Sequence, residues 1–253
     1  SEVVGQQHLI KPGAALHVCA TSGSLHSMIL WGPPGTGKTT LAEILTRAAG
    51  CHIEKISAVL AGVKDIRAVI KTAENLSLEG QSTVLFVDEV HRFNKSQQDA
   101  FLPHIENGTV IFIGATTENP AFELNNALLS RARVYLLHAL SEQEILKLME
   151  IALSDSQLGL GATGLKLSSA QKKVLARASD GDARRVLNYL EIMSDLTVAD
   201  GEGESGSTIP DSSIAQVLEE SSRRFDKRGD IFYDQISALH KSVRGSSPDA
   251  ALY

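Results

Sequence analysis

The chain has 253 residues, of which 43% are hydrophobic, enough to bury a core in one large domain or two smaller ones. Its net charge of −6 excludes attraction to nucleic acid over the whole surface, so any such contact must come from a local basic patch. No apolar run is long enough to span a membrane, and the opening SEVVGQQHLI lacks a secretion signal, so we expect a cytoplasmic protein without a membrane partner.

The first part of the chain alternates short apolar runs with stretches of helical periodicity. The apolar runs are residues 28–31, 83–87, 109–115 and 134–137, and HIEKI (52–56) is predicted as a further strand. Between them, apolar residues recur at helical spacing, first at Leu41, Ile44, Leu45 and Ala48, then at Val63, Ile66, Ile70 and Ala73. Continuous apolar runs favour a parallel sheet covered on both faces, so we also expect 134–137 to be a buried strand. The pattern predicts an α/β domain over residues 1–140.

Beyond residue 140 no further strand-like run appears. The stretch SEQEILKLMEIAL begins with a capping box formed by Ser141 and Glu144. Two more amphipathic stretches, SSAQKKVLARAS and DARRVLNYLEIMSDL, follow it. We predict a small all-helical domain over residues 141–222, and a further helical segment that opens in 223–253 and that the natural chain continues.

The stretch GPPGTGKTT lies between a predicted strand and a predicted helix, which is the context of a P-loop. Its glycines let successive backbone N–H groups face one concave site, and the helix N-terminus favours phosphate. Lys38 would reach the β- and γ-phosphates, while Thr39 would ligate Mg²⁺. The predicted nucleotide-binding residues are Gly32, Pro33, Pro34, Gly35, Thr36, Gly37, Lys38, Thr39 and Thr40. A glycine turn without function is the alternative, against which the strand–turn–helix setting argues.

The stretch VLFVDEVH supplies two adjacent carboxylates at the end of a predicted strand. Asp88 would hold the Mg²⁺ shell, and Glu89 would orient or deprotonate a water molecule. The alternative is that both acids cap the helix that follows. A residue placed to activate water favours ATP hydrolysis. A nucleotide kinase would instead need an arginine-rich lid that binds the phosphate acceptor. His91 is interpreted as an ordinary hydrogen-bonded or exposed histidine.

Polar residues also lie beside the next two apolar runs. Thr117, in GATTENP, would hydrogen-bond the attacking water or the γ-phosphate, although ordinary turn chemistry remains the alternative. Arg131 and Arg133, in LLSRARVYLL, precede an apolar run and have no obvious acidic partner beside them in the sequence. Their role depends on what the rest of the chain binds.

The motifs together resemble those of a known family. VVGQQHL, GPPGTGKT, VDEVH, GATTENP, LLSRAR and GDARR occur in the order typical of AAA+ ATPases of the clamp-loader-like branch. The phrases HRFNKSQQDAFLPHIENG and ISALHKSVRGSSPDAALY are similar, more narrowly, to the Werner-helicase-interacting ATPases and their bacterial relatives. The resemblance covers nearly the whole chain and implies ATP and Mg²⁺ as cofactors. In that family the C-terminal segment continues into a tetramerisation domain, so the resemblance implies a core fragment of a homo-oligomer.

The resemblance implies a role for Arg131. In such rings the nucleotide lies at a subunit interface, and Arg131 would reach the γ-phosphate bound by the neighbouring copy. Ala132 departs from the cysteine of the clamp-loader motif, without a chemical consequence that we can name. A surface salt bridge is the alternative for Arg131, and a solvated or structural role is the alternative for Arg133.

The resemblance also assigns two contacts with the rest of the nucleotide. Arg184, in the first turn of a helix that Asp182 begins, would face the phosphates as the sensor-2 residue. Val4, Gly5 and Gln6 resemble the segment that holds the adenine base. An exposed N-terminal loop is the alternative for that segment.

The family acts on DNA, so the resemblance implies forks, single-strand/duplex junctions and DNA ends as ligands. It also implies a single-strand DNA-binding protein as partner and association with the bacterial nucleoid. Candidate phosphate contacts are Lys64, Arg67, Lys71, Arg92 and Lys95, and a solvated surface is an equally open interpretation.

We therefore predict a Mg²⁺-dependent, DNA-dependent ATPase that acts at stalled replication forks and in recombination and repair, with hydrolysis at subunit interfaces. One alternative is a clamp-loader subunit, which shares every motif. The other is a non-enzymatic scaffold on DNA whose assembly is switched by ATP binding. An intact Glu89 favours the enzyme.

Overall fold

The structure is a computed structural model and describes residues 3–199 and 209–226. Its strands are β1 Met28–Trp31, β2 His52–Ser57, β3 Thr83–Asp88, β4 Ile111–Thr116 and β5 Arg133–Leu136. Its α-helices are α1 Gln7–Ile10, α2 Ala15–Ser22, α3 Lys38–Ala48, α4 Val63–Leu78, α5 Lys95–Asp99, α6 Leu102–Glu106, α7 Pro120–Glu123, α8 Asn126–Leu129, α9 Glu142–Ser154, α10 Ser169–Ala178, α11 Ala183–Ala199 and α12 Asp211–Asp226. Short 3₁₀ turns occupy Val90–Arg92 and Gly161–Thr163.

The five strands form one parallel sheet in the order β2-β3-β4-β1-β5. Successive side chains point to opposite faces. Met28 and Leu30 therefore enter one hydrophobic core with α2 and α3, whereas Ile29 enters the other core with α4. This two-sided burial explains why the central strands appear in the sequence as unbroken apolar runs. The predicted α/β fold is confirmed.

The predicted burial of residues 134–137 holds for Tyr135 and Leu137 but not for the other two residues. β5 begins one residue earlier, at Arg133, and within it only Tyr135 is buried, while Val134 and Leu136 are 45% and 42% exposed. The reason is topological. β5 is an edge strand, paired with β1 alone, so apolar side chains along it receive less cover than those of a central strand.

The described residues divide into two compact units. The first contains residues 3–148 and 179–186, and the second contains 149–178, 187–199 and 209–226. This division differs from the predicted boundary at residue 140, because 141–148 and 179–186 belong to the first unit. Of the predicted segment 223–253, everything beyond residue 226 lies outside the described residues, so its expected helix stays a prediction.

The helical part of the chain begins as the sequence predicts. The backbone N–H of Ser141 donates to the Glu144 carboxylate at 2.8 Å, and the N–H of Glu144 donates back to the Ser141 hydroxyl at 3.3 Å, which completes the capping box. In the second unit, the Gln171 amide donates to Ile209 O and to the Asp211 carboxylate, both at 2.8 Å. These bonds connect the starts of α10 and α12. Within the described ranges, no helix is long and apolar enough to cross a membrane.

Candidate nucleotide-binding site

Three chemistry-bearing segments follow strands β1, β3 and β4. Because these strands are parallel and adjacent, their carboxyl ends lie at one edge of the sheet. The glycine-rich loop follows β1, Asp88 ends β3, and Thr116 ends β4. β4 lies between the other two strands, so its final threonines emerge between the loop and the acidic pair.

The loop after β1 curls as a P-loop requires. Gly35 and Gly37 have φ values of +66° and +89°, which side-chain-bearing residues rarely adopt, and Gly37 is the N-cap of α3. A Cβ at Gly37 would meet nothing within 4 Å, so open space remains where the backbone turns into the helix. The buried Thr36 hydroxyl donates to Pro33 O at 2.9 Å, and this hydrogen bond within the loop stabilises its conformation. Pro33, at the loop's outer side, is exposed.

Lys38 lies at the first position of α3, over the loop. Its ammonium group donates to Gly32 O and Pro33 O, both at 2.8 Å. Thr39 is partly buried and Thr40 is exposed in the same turn, while Pro34 is exposed in the loop. Backbone N–H groups at a helix start, together with a cation beside them, form an arrangement suited to phosphate oxygens.

The charges around Lys38 identify the other members of the site. Burial lowers the pKa of the Lys38 ammonium group, because desolvation disfavours its charged form. The carboxylates of Glu89 and Asp88 act in the opposite direction and raise its pKa, Arg184 lowers it, and Asp182 raises it. Five ionisable groups from three chain segments therefore share one electrostatic environment.

The oxygen donors near Lys38 fit a magnesium ion. Thr39 offers a hydroxyl and Asp88 a carboxylate, and hard oxygen ligands of this kind are those that Mg²⁺ prefers. One Asp88 oxygen accepts the backbone N–H of Glu89 at 3.1 Å, which orients the carboxylate. Both residues are only partly buried, so the donors remain accessible.

Glu89 has an unusual backbone. Its φ of +52° and ψ of +46° place it in the left-handed region, which for a non-glycine residue costs on the order of 1–3 kcal/mol and which such residues often adopt at functional sites. It precedes the 3₁₀ turn Val90–Arg92 but makes no side-chain capping bond to it. The helix that follows, α5, is capped by Asn94 instead. Capping is thus not the role of the acidic pair in this structure.

The ring of His91 lies between the acidic pair and the end of β4. Its Nδ1 is 2.9 Å from the Thr116 hydroxyl and 3.4 Å from Glu89 Oε2. Sequence reasoning treated His91 as ordinary; its position three residues after Asp88 was the only available hint. Thr117, the predicted sensor of the γ-phosphate, follows Thr116 and is partly buried, and its role stays a prediction.

Arg131 has the acidic partner that the sequence did not reveal. Its guanidinium group pairs with Glu106, at the end of α6, and donates to Ala127 O at 2.7 Å and to the Ser130 hydroxyl at 2.9 Å. In the single chain it is therefore folded back along α8. Arg133 is different: it opens β5, opposite Met28 at the amino end of β1, so it lies at the edge of the sheet away from the nucleotide site.

The segment containing Arg184 docks on the P-loop. The Asp182 carboxylate accepts the backbone N–H groups of Arg184 and Arg185, at 2.8 and 3.1 Å, and so caps α11 as predicted. The N–H of Ala183 donates to Gly35 O at 3.0 Å. These bonds bring the first turn of α11 to the loop. The exposed Arg184 side chain remains the predicted phosphate contact.

The N-terminal segment is fixed by Gln6, which the sequence groups with Val4 and Gly5 in the segment predicted to hold the base. The Gln6 side chain, 5% exposed, donates to His138 O at 2.7 Å and to Thr36 O at 3.4 Å, and it accepts the N–H of His138 at 3.0 Å. Gly5 is buried with a φ of +82°, and Val4 is partly buried. The segment predicted to hold the base is thus tied to the P-loop.

The candidate DNA contacts lie in two places. Lys64, Arg67 and Lys71 are exposed on α4 at a spacing that puts them on one helix face. Arg92 and Lys95 are exposed just after β3. The structure brings each group to the surface, and both assignments stay predictions.

Known proteins and protein families resemble this chain in sequence and in structure. Residues 28–139 match the profile of the ATPase family associated with various cellular activities (AAA), and residues 161–244 match the AAA C-terminal domain. The chain is 58% identical over 252 residues to replication-associated recombination protein A of Coxiella burnetii and 55% identical over 253 residues to that of Escherichia coli K12. Each alignment covers 100% of this chain and 56% of the relative, so the chain spans little more than half their length.

A eukaryotic protein and a solved bacterial structure are also similar to this chain. ATPase WRNIP1 of Dictyostelium discoideum is 42% identical over 266 residues, covering 100% of this chain and 30% of that protein. Among solved structures, the Thermotoga maritima RuvB Holliday junction branch migration motor is 26% identical, with a TM-score of 0.68 over 85% of this chain and 69% of the other. The predicted ATPase class and P-loop fold are confirmed by these matches.

Proposed function

From the premise that the chain belongs to the AAA family of ATPases, we propose that it is the ATPase core of a DNA-stimulated protein acting at stalled replication forks and in recombination and repair. Its relatives' names support the setting, since they refer to replication, recombination and branch migration. The chain spans only 56% of the bacterial relatives, so this activity of the whole protein is an inference.

One observation carries the proposal. Lys38, at the start of α3, shares its electrostatic environment with the two adjacent carboxylates at the carboxyl end of β3, Asp88 and Glu89. A cation for the phosphates, a carboxylate suited to a metal and a second carboxylate suited to water activation thus meet at one sheet edge. A phosphate-binding scaffold would need the first two groups, but not Glu89.

Each residue of the site has its own proposed role in binding ATP or in activating water. The N–H groups of the P-loop and Lys38 bind the phosphates and neutralise their charge. Glu89 orients the attacking water and accepts its proton, and Thr117 hydrogen-bonds the water or the γ-phosphate. Arg184 adds positive charge from the first turn of α11. When bound between Thr39 and Asp88, Mg²⁺ would supply further charge neutralisation at the phosphates.

A further positive charge at the phosphates comes from a second copy of the chain. We assign Arg131 of the neighbouring protomer as the group that stabilises charge on the transferring phosphoryl group. In the single chain this guanidinium group is bound to Glu106, Ala127 and Ser130, so it must exchange those partners for phosphate oxygens when copies assemble. Turnover should therefore depend on oligomerisation.

The wider setting follows from the same premise. We propose a homo-oligomer, a tetramer by family resemblance, that binds forks, single-strand/duplex junctions and DNA ends in the bacterial cytoplasm at the nucleoid. A single-strand DNA-binding protein is the proposed protein partner. Lys64, Arg67 and Lys71, with Arg92 and Lys95, are the proposed contacts with DNA phosphates.

Replacing Glu89 tests the proposal. Glu89→Gln keeps the side-chain shape but removes the base, so we expect ATP binding near the wild-type level and turnover lowered by about 10²–10⁴-fold, the usual contribution of a general base. The control is Glu79→Gln, an exposed residue at the end of α4, which should leave both quantities unchanged. Binding and phosphate release are measured separately, with Mg²⁺ and forked DNA present. Equal and measurable turnover by Glu89→Gln and the wild type would refute the enzymatic assignment and favour a scaffold.

A further inference from the structure

Between the acidic pair and the end of β4 lies a buried imidazole that the proposed mechanism does not use. The His91 side chain is only 8% exposed. Its Nδ1 faces two oxygens, Thr116 Oγ1 at 2.9 Å and Glu89 Oε2 at 3.4 Å. Oε2 itself is shielded from solvent, and among the described residues it makes no hydrogen bond of good geometry. The ring therefore lies beside the inner oxygen of the proposed catalytic carboxylate.

The hydrogen-bond inventory of Thr116 indicates where the imidazole proton lies. A hydroxyl has one donor and two acceptor positions. Thr116 Oγ1 accepts the N–H of Glu118 at 3.1 Å and can donate to Glu118 O at 3.3 Å. Its second acceptor position is then filled if His91 Nδ1 carries a proton and donates to it. The opposite tautomer would also turn the Nδ1 lone pair toward the Glu89 carboxylate, which is electrostatically unfavourable.

We propose that His91, protonated at Nδ1, is a positioning residue that fixes the Glu89 carboxylate relative to the end of β4. The inference deepens the proposed function and rests on it. Glu89 leaves its strand with a left-handed backbone, so no regular secondary structure holds its side chain. The Nδ1–H group attracts Oε2 to the inside, and the rest of the carboxylate then faces the site, in keeping with the 36% exposure of the side chain.

The link also connects two parts of the mechanism. Thr116 immediately precedes Thr117, the proposed hydrogen-bonding partner of the γ-phosphate or attacking water. His91 donates to the first threonine and faces Glu89, so a displacement of the end of β4 is transmitted to the carboxylate through one ring. Such supporting contacts typically change activity by about 10–100-fold when removed, because they set the orientation of the acting group.

Three replacements of His91 distinguish donation from Nδ1 from simple packing. Asparagine places an amide N–H near the position of Nδ1, glutamine places it nearer Nε2, and phenylalanine keeps the ring without any donor. We expect His91→Phe and His91→Gln to lower kcat by about 10–100-fold with little change in KM or ATP affinity. His91→Asn should retain most of the wild-type kcat. The opposite order, with phenylalanine active and asparagine inactive, would show that the ring only fills space.

A second variant tests the same link without altering the ring. Thr116→Val removes the hydroxyl that Nδ1 contacts, and we expect kcat to fall while ATP affinity persists. His52→Asn, at the amino end of β2 on the opposite edge of the sheet, is the control and should leave turnover unchanged. Unchanged kcat in both Thr116→Val and His91→Phe would overturn the inference. If Glu89→Gln itself retained full turnover, the proposed function would fail first, so the two failures are distinguishable.

Discussion

Gly35 and Gly50 offer a matched pair of substitutions that tests how the P-loop is joined to the start of α11. Both glycines have a φ of +66° and both belong to the first unit. A Cβ at Gly50 would meet nothing within 4 Å, whereas a Cβ at Gly35 would overlap the Asp182 carboxylate and lie 2.9 Å from Ala183 N. Alanine therefore imposes the same backbone strain at both sites and a steric conflict at only one.

The expected magnitudes follow from these contacts. Left-handed backbone costs a residue with a Cβ about 1–2 kcal/mol, so Gly50→Ala should lower the free energy of unfolding by about that amount. Gly35→Ala should additionally weaken the Asp182 cap, typically about 1 kcal/mol, and the hydrogen bond from Ala183 to Gly35 O, about another 1 kcal/mol. Its total loss is then about 3–4 kcal/mol. The effect of alanine on the unfolded chain is common to both variants and cancels in the difference.

The assay is thermal or denaturant unfolding of the nucleotide-free protein, so that changes in ATP affinity do not enter. A difference of about 2 kcal/mol corresponds to a melting temperature about 4–8 °C lower for Gly35→Ala than for Gly50→Ala. Equal destabilisation of the two variants would refute the reasoning. It would mean that Asp182 and Ala183 do not contact Gly35 in the folded protein. The position of Arg184 beside the loop would then be wrong as well.

Two further predictions concern the proposed contacts outside the P-loop. Arg131→Ala should bind ATP almost normally yet hydrolyse it about 10³–10⁵-fold more slowly, as loss of an arginine finger does, and should inhibit wild-type chains in mixed oligomers; loss of ATP binding by this variant would contradict the assignment. Replacing Lys64, Arg67 and Lys71 by alanine should weaken DNA binding for all sequences alike and reduce the slope of log affinity against log salt by about 2–3. An unchanged slope, measured by titration at several salt concentrations, would leave α4 as a solvated face.

The sequence alone determined the local parts of the site. A glycine-rich loop between an apolar run and a helical pattern has one common structural outcome, so the P-loop and Lys38 were predictable from adjacent residues. The same holds for the carboxylates after β3, because the end of a strand is fixed by its own run of apolar side chains. The capping of α11 by Asp182 was also predictable, since a cap acts only on the next turn.

Tertiary structure alone decided which distant side chains meet. Arg131 finds Glu106 because α6 and α8 pack on the same part of the fold, although 25 positions separate the two residues in the chain. His91 meets Thr116 only because β3 and β4 are neighbours in the sheet. The exposure of β5 likewise follows from its place at the edge. Hydrophobic periodicity indicates which face of a segment is apolar, but not which partner covers that face or how completely, so strand order and long-range pairs emerge only when the chain closes on itself.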